Sequence, residues 1–362
     1  MSIKVALVYD RVNKWGGAER VLLALHEIFP KAPLFTTVYS KQKARWANVF
    51  PKVNTSFLGK FLWLQDKHEL LGTFTPLASE SLDLSEYDFV ISVISESAKG
   101  IITGPKTKHI CYMLTPTRYL WSGYEEYFKN PILRLLSLPV IKYLKWWDYA
   151  AARRPDEIIS ISNEVKKRVK KYYGLGSKVI FPPVNVQISA KDKKELKKKR
   201  NYYLMVGRLV PYKRFDLAIK AFNKIKEPLY IVGTGYDLPR LLGISNQNVK
   251  FLGRVSEAKL KKLYLGAKAF IFPQEEDFGI VAVEAQSYGV PVIAYKAGGA
   301  LDTVVDKETG IFFSKQEVDS LVDAIAQFNN TKFSQRKLLA NAKKFSKERF
   351  KREFRKTIDG RL

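Results

Sequence analysis

FPQEEDFGIVAVEAQSYGVPV, residues 272–292, puts two carboxylates, Glu276 and Glu284, on either side of a Phe-Gly turn. The run before the turn, Ala269 to Phe272, is apolar and stops at Pro273, as a buried strand does. Gln274 to Phe278 is a polar loop. From Gly279 the pattern becomes IVAVEAQSYG, one helical segment closed by Gly289, the residue type favoured just past a helix end. VPVIAY, 290–295, is a second strand. Strand, loop, helix, strand predicts two parallel strands, and open parallel sheets bind ligands beyond the carboxyl ends of their strands. Glu276 stands at such an end. The free N–H groups at Gly279, Ile280 and Val281 point the same way and attract anions. Glu284, about a turn and a half into the helix, faces the same ligand or solvent. Amide donors beside carboxylates that accept from hydroxyls suit a sugar nucleotide. An ordinary solvated loop with surface glutamates is the alternative.

The same alternation runs outward through the chain. KVALVYD (4–10), PLFTTVY (33–39), YDFVISVI (87–94), HICYML (109–114), EIISIS (157–162) and KVIFPPV (178–184) read as strands. Helical segments lie between them, one including Val21, Leu22, Leu25 and Phe29 and another spanning NEVKKRVKKYYG. FPPVNV (181–186) and the lysine-rich run 191–200 read as a hinge. A fresh series follows: YYLMVGRL (202–209), PLYIVGTG (228–235), VKFLGRV (249–255), then the two strands around the glutamates. The expectation is an α/β chain of two Rossmann-like, doubly wound domains, 1–185 and 186–340, with strand ends converging on a cleft. A helical tail, 341–362, carries Phe345, Phe350 and Phe354 as one apolar stripe on a basic helix, which would pack back on the first domain or, second, touch a membrane.

With 362 residues, two domains are the natural division, and 46% hydrophobic content supplies their cores. Cys111 is the one cysteine; inside HICYML it reads as a small buried residue, so no disulfide framework exists. The chain opens directly on a strand, without a signal-peptide pattern, and no run reaches a membrane span; the expected location is cytoplasmic. The net charge of +27 calls for an anionic partner: a phosphate-rich substrate, an anionic lipid surface or nucleic acid.

VGRLVPYKRFD sets Arg208 and Lys213 just past a strand, a planar fork and a point charge suited to a diphosphate. Two such cations stabilise the charge of a leaving group. VGTGYD (232–237) is a Gly-rich turn that lets backbone approach a phosphate or base, without dinucleotide spacing. Asp-x-Asp is absent, and His26, His68 and His109 have no metal-ligand spacing. No metal or other cofactor is expected.

Taken together, GRLVPYKRFD, VGTGYD, FLGRV and EEDFGIVAVEAQSYGVPVIAYKAGGALDTV resemble the retaining glycosyltransferases of family 4, which have the GT-B fold of two Rossmann-like domains facing across a cleft. WGGAER and CYMLTPTRYLW (111–121) resemble the bacterial mannosyltransferase-type enzymes that build O-antigens and exopolysaccharides. The resemblance implies transfer of a hexose, mannose first among them, from a nucleoside-diphosphate sugar such as GDP-mannose to a glycan or polyprenyl-diphosphate-linked acceptor. It implies roles as well. Glu276 would bind hydroxyls of the donor sugar and Glu284 the ribose. Phe278, Gly279 and Ile280 would hold sugar and phosphate through their backbone. Arg208 and Lys213 would grip the diphosphate. Gly253, Arg254 and Val255 would lie along the base, and Gly16 and Gly17 would open the first-domain helix toward the diphosphate.

One motif departs from the family. Relatives often read His-Thr-Pro where this chain reads Leu114-Thr115-Pro116. Leu114 donates no hydrogen bond, so the donor sugar differs, Arg118 takes over, or activity is reduced. Leu114, Thr115 and Arg118 are candidates for the sugar or acceptor side. A sugar-nucleotide-binding protein with reduced catalysis is therefore the alternative function. A nucleic-acid-binding protein is a third reading, disfavoured because the charge forms no aromatic-lined stripe.

The segment from Glu125 to Arg154 mixes apolar residues, Trp146 and Trp147 with Lys and Arg. It reads first as helices packed on the first domain and second as a lipid-surface element at the inner face of the plasma membrane.

Overall fold

The computed structural model describes residues 3–60, 72–124, 130–186 and 201–359. The lysine-rich run 191–200 and residues 125–129 of the amphipathic segment lie outside them. The chain divides into two compact units, Met1–Pro182 with Phe350–Leu362, and Pro183–Arg349.

The first unit is built on a seven-stranded sheet in the order β3-β2-β1-β4-β5-β6-β7. Its strands are β1 Val5–Tyr9, β2 Leu34–Thr36, β3 Val53–Thr55, β4 Phe89–Ile94, β5 Lys108–Met113, β6 Glu157–Ser160 and β7 Lys178–Val179. Every pair is parallel. The reversal of order between β1 and β4 is a switch point. There Asp10, just past β1, accepts from the backbone N–H groups of Ser95 (2.6 Å), Glu96 (3.0 Å) and Ala98 (2.8 Å), which pins the loop after β4. Helices α1 Gly17–Ile28, α2 Thr75–Glu80, α3 Pro131–Ala151 and α4 Asn163–Tyr173 belong to this unit. Strand β4 is buried at every position, the signature of a parallel strand covered on both faces.

The second unit repeats the plan with six parallel strands ordered β10-β9-β8-β11-β12-β13. They are β8 Tyr202–Val206, β9 Leu229–Val232, β10 Val249–Phe251, β11 Ala267–Phe272, β12 Val292–Tyr295 and β13 Gly310–Phe313. Its helices are α5 Phe215–Ile225, α6 Leu238–Gly243, α7 Glu257–Gly266, α8 Ile280–Ser287, α9 Ala300–Thr303, α10 Val318–Asn329 and α11 Gln335–Lys343. The switch point falls between β8 and β11, so the loops after those strands are neighbours. One face of the sheet buries Tyr203, Phe222, Ile271 and Phe328 against α5 and α10; the other buries Phe270, Phe272, Ala282 and Ala285.

Two strands escaped the sequence pattern. VNT at 53–55 is a polar edge strand without an apolar run, and GIFF at 310–313 has only four residues. The tail also differs from expectation. The second unit runs to Arg349 rather than 340, because α11 packs on α8: Asn341 Nδ2 donates to Gln286 Oε1 (2.7 Å) and Thr303 O (2.9 Å). The phenylalanine stripe is divided. Phe345 meets Phe278 in the second unit (5.5 Å between rings). Phe350 and Phe354, on α12 Lys347–Asp359, pack on Tyr112 of β5 in the first (5.7 and 6.1 Å).

Candidate active site

In the second unit the site is assembled from backbone up. Past β8 the chain turns through a short 3-10 turn, Pro211–Lys213, ending at Arg214 in the left-handed region (φ 53°). Past β11 it runs Pro273 to Gly279, and Gly279 (φ 87°) starts α8 without any side-chain cap. A Cβ on Gly279 would stand 2.8 Å from the Phe272 ring, so both conformation and space demand glycine there. The two loops meet: the Lys213 ammonium is bound to Glu276 Oε1, which also accepts from Gln274 Nε2 (2.9 Å). Both side chains of the Lys213–Glu276 pair are largely shielded, at 13% and 17% exposure. Screening by solvent is weak at such a site, so the pair is oriented rather than splayed.

Arg208 lies in the same loop, exposed, with its guanidinium 3.4 Å from the Tyr212 hydroxyl. Glu284 is half-buried on α8 and accepts from Tyr264 Oη (3.3 Å). Phe278 is buried, and Ile280 opens the helix half-buried. Gly253 takes φ 62° at the end of β10, followed by exposed Arg254 and half-buried Val255. The structure thus brings Lys213 and Glu276 into contact and sets Arg208, Phe278, Gly279 and Ile280 on the same two loops. Glu284 and the Gly253–Val255 segment follow from neighbouring elements.

Two features went unread in the sequence, and a third was read only in part. Gly298 and Gly299, in the turn after β12, back the Glu276 loop: the Gly299 N–H donates to Glu276 O (2.7 Å), and a Cβ there would meet Phe278 Cα at 2.3 Å. Their signal was the Gly-Gly doublet after a strand. Gln316 ties the two loops together, accepting from Arg214 Nη1 (2.8 Å) and donating to Pro273 O (2.7 Å); nothing local marks it. The glycines of VGTG also serve packing within the unit. A Cβ on Gly233 would fall 1.8 Å from Gly207 O, and one on Gly235 2.1 Å from Leu209 O. They let the β9 loop stack backbone against the β8 loop that carries Arg208.

In the first unit, Gly16 is the extended N-cap of α1 and Gly17 its first residue. Beside them the Tyr9 hydroxyl donates to Glu19 (2.9 Å), whose carboxyl is held above its ordinary range by burial. Leu114 and Thr115 follow β5, half-buried and buried; the Leu114 N–H donates to Ile94 O (2.8 Å). Arg118 is half-buried on the same loop. Since β1 and β5 run parallel with β4 between them, Gly16–Gly17 and Leu114–Thr115 follow the carboxyl ends of strands on the same end of the sheet. His109 is elsewhere: it is the second residue of β5, fully buried, with its imidazole on Ser92 Oγ (2.8 Å) and its pKa pushed down to about 3 by burial. Among the described residues, no group of three or more His, Cys, Asp or Glu could hold a metal ion.

Residues 186–345 match the family model described as Glycosyl transferases group 1. An uncharacterized glycosyltransferase of Methanocaldococcus jannaschii is 28% identical over 203 residues, 55% of this chain and 56% of that protein. The chain therefore spans little more than half the length of that relative. The alpha-1,3/1,6-mannosyltransferase ALG2 of Kluyveromyces lactis is 26% identical over 373 residues, covering 84% of this chain and 71% of that one. Among solved structures, Anabaena HepE in complex with UDP superposes with a TM-score of 0.71 over 99% of this chain and 100% of its own, at 19% identity. Residues 186–345 are a glycosyl transferases group 1 domain, in a chain that has the GT-B fold and resembles the mannosyltransferases of that group.

Proposed function

We propose that this protein is a retaining, metal-independent glycosyltransferase of family 4, moving a hexose from a nucleoside-diphosphate sugar to a glycan or polyprenyl-diphosphate-linked acceptor. The observation that carries this reading is the Lys213–Glu276 pair at the β8/β11 switch point, beside the uncapped N-terminus of α8. A carboxylate there accepts from sugar hydroxyls, while the ammonium and the free amide groups of the helix take a diphosphate. Arg208 and Lys213 would supply the positive charge that the departing diphosphate needs. The anomeric carbon–oxygen bond to the diphosphate breaks, the acceptor hydroxyl adds on the same face, and its proton passes to the leaving phosphate oxygen. No protein nucleophile enters, so Glu276 and Glu284 are not a glycosidase pair.

Mannose is the sugar favoured by the mannosyltransferase relative, with GDP-mannose as the proposed donor, and the UDP complex of HepE is the argument for testing uridine donors beside it. A thermal-shift screen with GDP-, UDP- and ADP-sugars identifies the base without an acceptor. Glu276→Ala should then abolish transfer while its melting temperature stays near that of the parent; transfer at the parent rate would refute the sugar-binding role. Leu114, half-buried past β5 and unable to donate, supports the second reading of a sugar-nucleotide-binding protein with reduced catalysis. Nucleotide binding without hydrolysis or transfer across a broad acceptor panel would favour it. A cytoplasmic, membrane-peripheral location, with access to lipid-linked acceptors at an anionic surface, completes the proposal.

A further inference from the structure

Helix α3 was expected to bury its apolar residues on the first unit, and it buries only one face. Ile141, Leu144 and Trp147 are inside, packed with Leu120 and against Gly100, where a Cβ would stand 2.4 Å from the Trp147 ring. The other face carries Ile132, Leu135, Leu136, Tyr143 and Trp146, with spacings of three, four, seven and ten positions among them, so they fall in one stripe. Ile132, Leu136 and Trp146 are 68%, 71% and 67% exposed. A soluble surface scatters such residues singly; this one lines them up.

The charges around the stripe name the partner. The one acidic residue of α3, Asp148, is buried and satisfied: it accepts from Lys99 Nζ (2.5 Å), Thr117 Oγ1 (2.6 Å), Trp121 Nε1 (2.8 Å) and Tyr173 Oη (2.6 Å). The helix therefore exposes Arg134 and Lys142 and no carboxylate. Helix α4, tied to α3 through Tyr173 and through Arg153 Nη2 donating to Tyr173 O (2.7 Å), adds exposed Lys166, Lys167, Lys170 and Lys171. Aromatic and aliphatic side chains with a cationic surround are what the headgroup boundary of an anionic bilayer accepts. Among the described residues no helix is long and apolar enough to cross a membrane, so the helix would lie on it.

We infer that α3 is a membrane-docking helix, lying in the plane of an anionic lipid surface with the Ile132–Leu136–Tyr143–Trp146 stripe toward the acyl chains. Its inner face holds the loop after β5 through Thr117 and Trp121, so the docked helix sets the Leu114–Arg118 segment next to the lipid surface. The inference rests on the preceding reading only for the nature of the acceptor; the docking itself needs no sugar chemistry.

The test is flotation of the full-length protein with vesicles of phosphatidylcholine containing phosphatidylglycerol, against phosphatidylcholine alone, at about 0.1 M and about 1 M salt. Two exposed-stripe variants, Leu135→Ser/Leu136→Ser and Trp146→Ser, run beside the parent, with melting temperature and nucleotide-induced thermal shift as controls. The parent should float with the anionic vesicles at low salt and lose most of that binding at high salt. Each variant should bind about tenfold more weakly with an unchanged melt. The inference is overturned if the parent does not float, if the variants float equally well, or if sedimentation shows a dimer of this chain that the variants dissolve. Flotation with no response to any nucleotide would leave docking standing and the glycosyltransferase reading in doubt.

Discussion

Lys213 is held by Glu276 in a shielded setting, and a donor diphosphate would compete for the same ammonium. On the proposed mechanism, charge on the diphosphate would grow as its bond to the sugar breaks, so the lysine would contribute more to the transition state than to the bound donor. Lys213→Ala should therefore lower kcat by roughly 10²–10³ while nucleotide affinity falls much less, read from steady-state kinetics beside calorimetry. A second residue-scale expectation concerns His109, whose buried imidazole has a pKa of about 3. The unfolded chain takes up that proton near pH 6.5 and the folded chain does not, so the contribution of neutral His109 is complete above pH 6.5 and shrinks as pH falls toward 3. Between pH 6 and pH 4 the parent should lose about 1.4 kcal/mol per pH unit more than His109→Gln, measured by urea unfolding. Lys213 and Glu276, which the structure brings into contact, could be singled out by residue type and by their place just past a strand. Gln316 could not, because its role comes from two hydrogen bonds to loops distant in sequence.

At the scale of elements, the loop bearing Glu276 is shaped by what lies behind it. The turn after β12 packs backbone on backbone, leaving no room for a methyl group at Gly299. Gly299→Ala should cost about 1–3 kcal/mol by overpacking and displace the Glu276 loop, lowering transfer more than the melting temperature alone explains. The strand–helix alternation was legible because parallel strands buried on both faces are continuous apolar runs, as FVISVI and AFIF are. Edge strand β3 was not, since it pairs on one side only and none of its three residues is buried. The glycines of VGTG were visible, but glycine permits approach without saying of what, and here the visitor is the neighbouring loop. Helix α3 shows the same ambiguity: its apolar spacing suits burial or lipid, and only the exposure of Leu136 and Trp146 separates the two.

For the whole molecule, the two-sheet architecture followed from the restart of the strand series at Tyr202, and the switch points follow from the strand order. The apolar stripe of the tail was legible from its phenylalanines, but its division was not: Phe345 packs in the second unit and Phe350 and Phe354 return to the first. Phe350 and Phe354 are among the largest fully buried side chains of the protein. Phe354→Ala should cost about 3–5 kcal/mol and lower the unfolding midpoint of the first unit, followed by proteolysis of that unit in urea, with the second unit's midpoint unchanged.

That return also orders events during synthesis. Pro183–Arg349 is an unbroken stretch of chain, so it can close its core as soon as it leaves the ribosome. The unit begun earlier waits with Tyr112 uncovered until residues beyond Phe350 arrive. At about 5–20 residues per second, the interval between Pro182 and Phe350 lasts on the order of ten seconds or more. For that time the sheet has all its strands but not its cover of Phe350 and Phe354, an exposed apolar face of the kind chaperones bind.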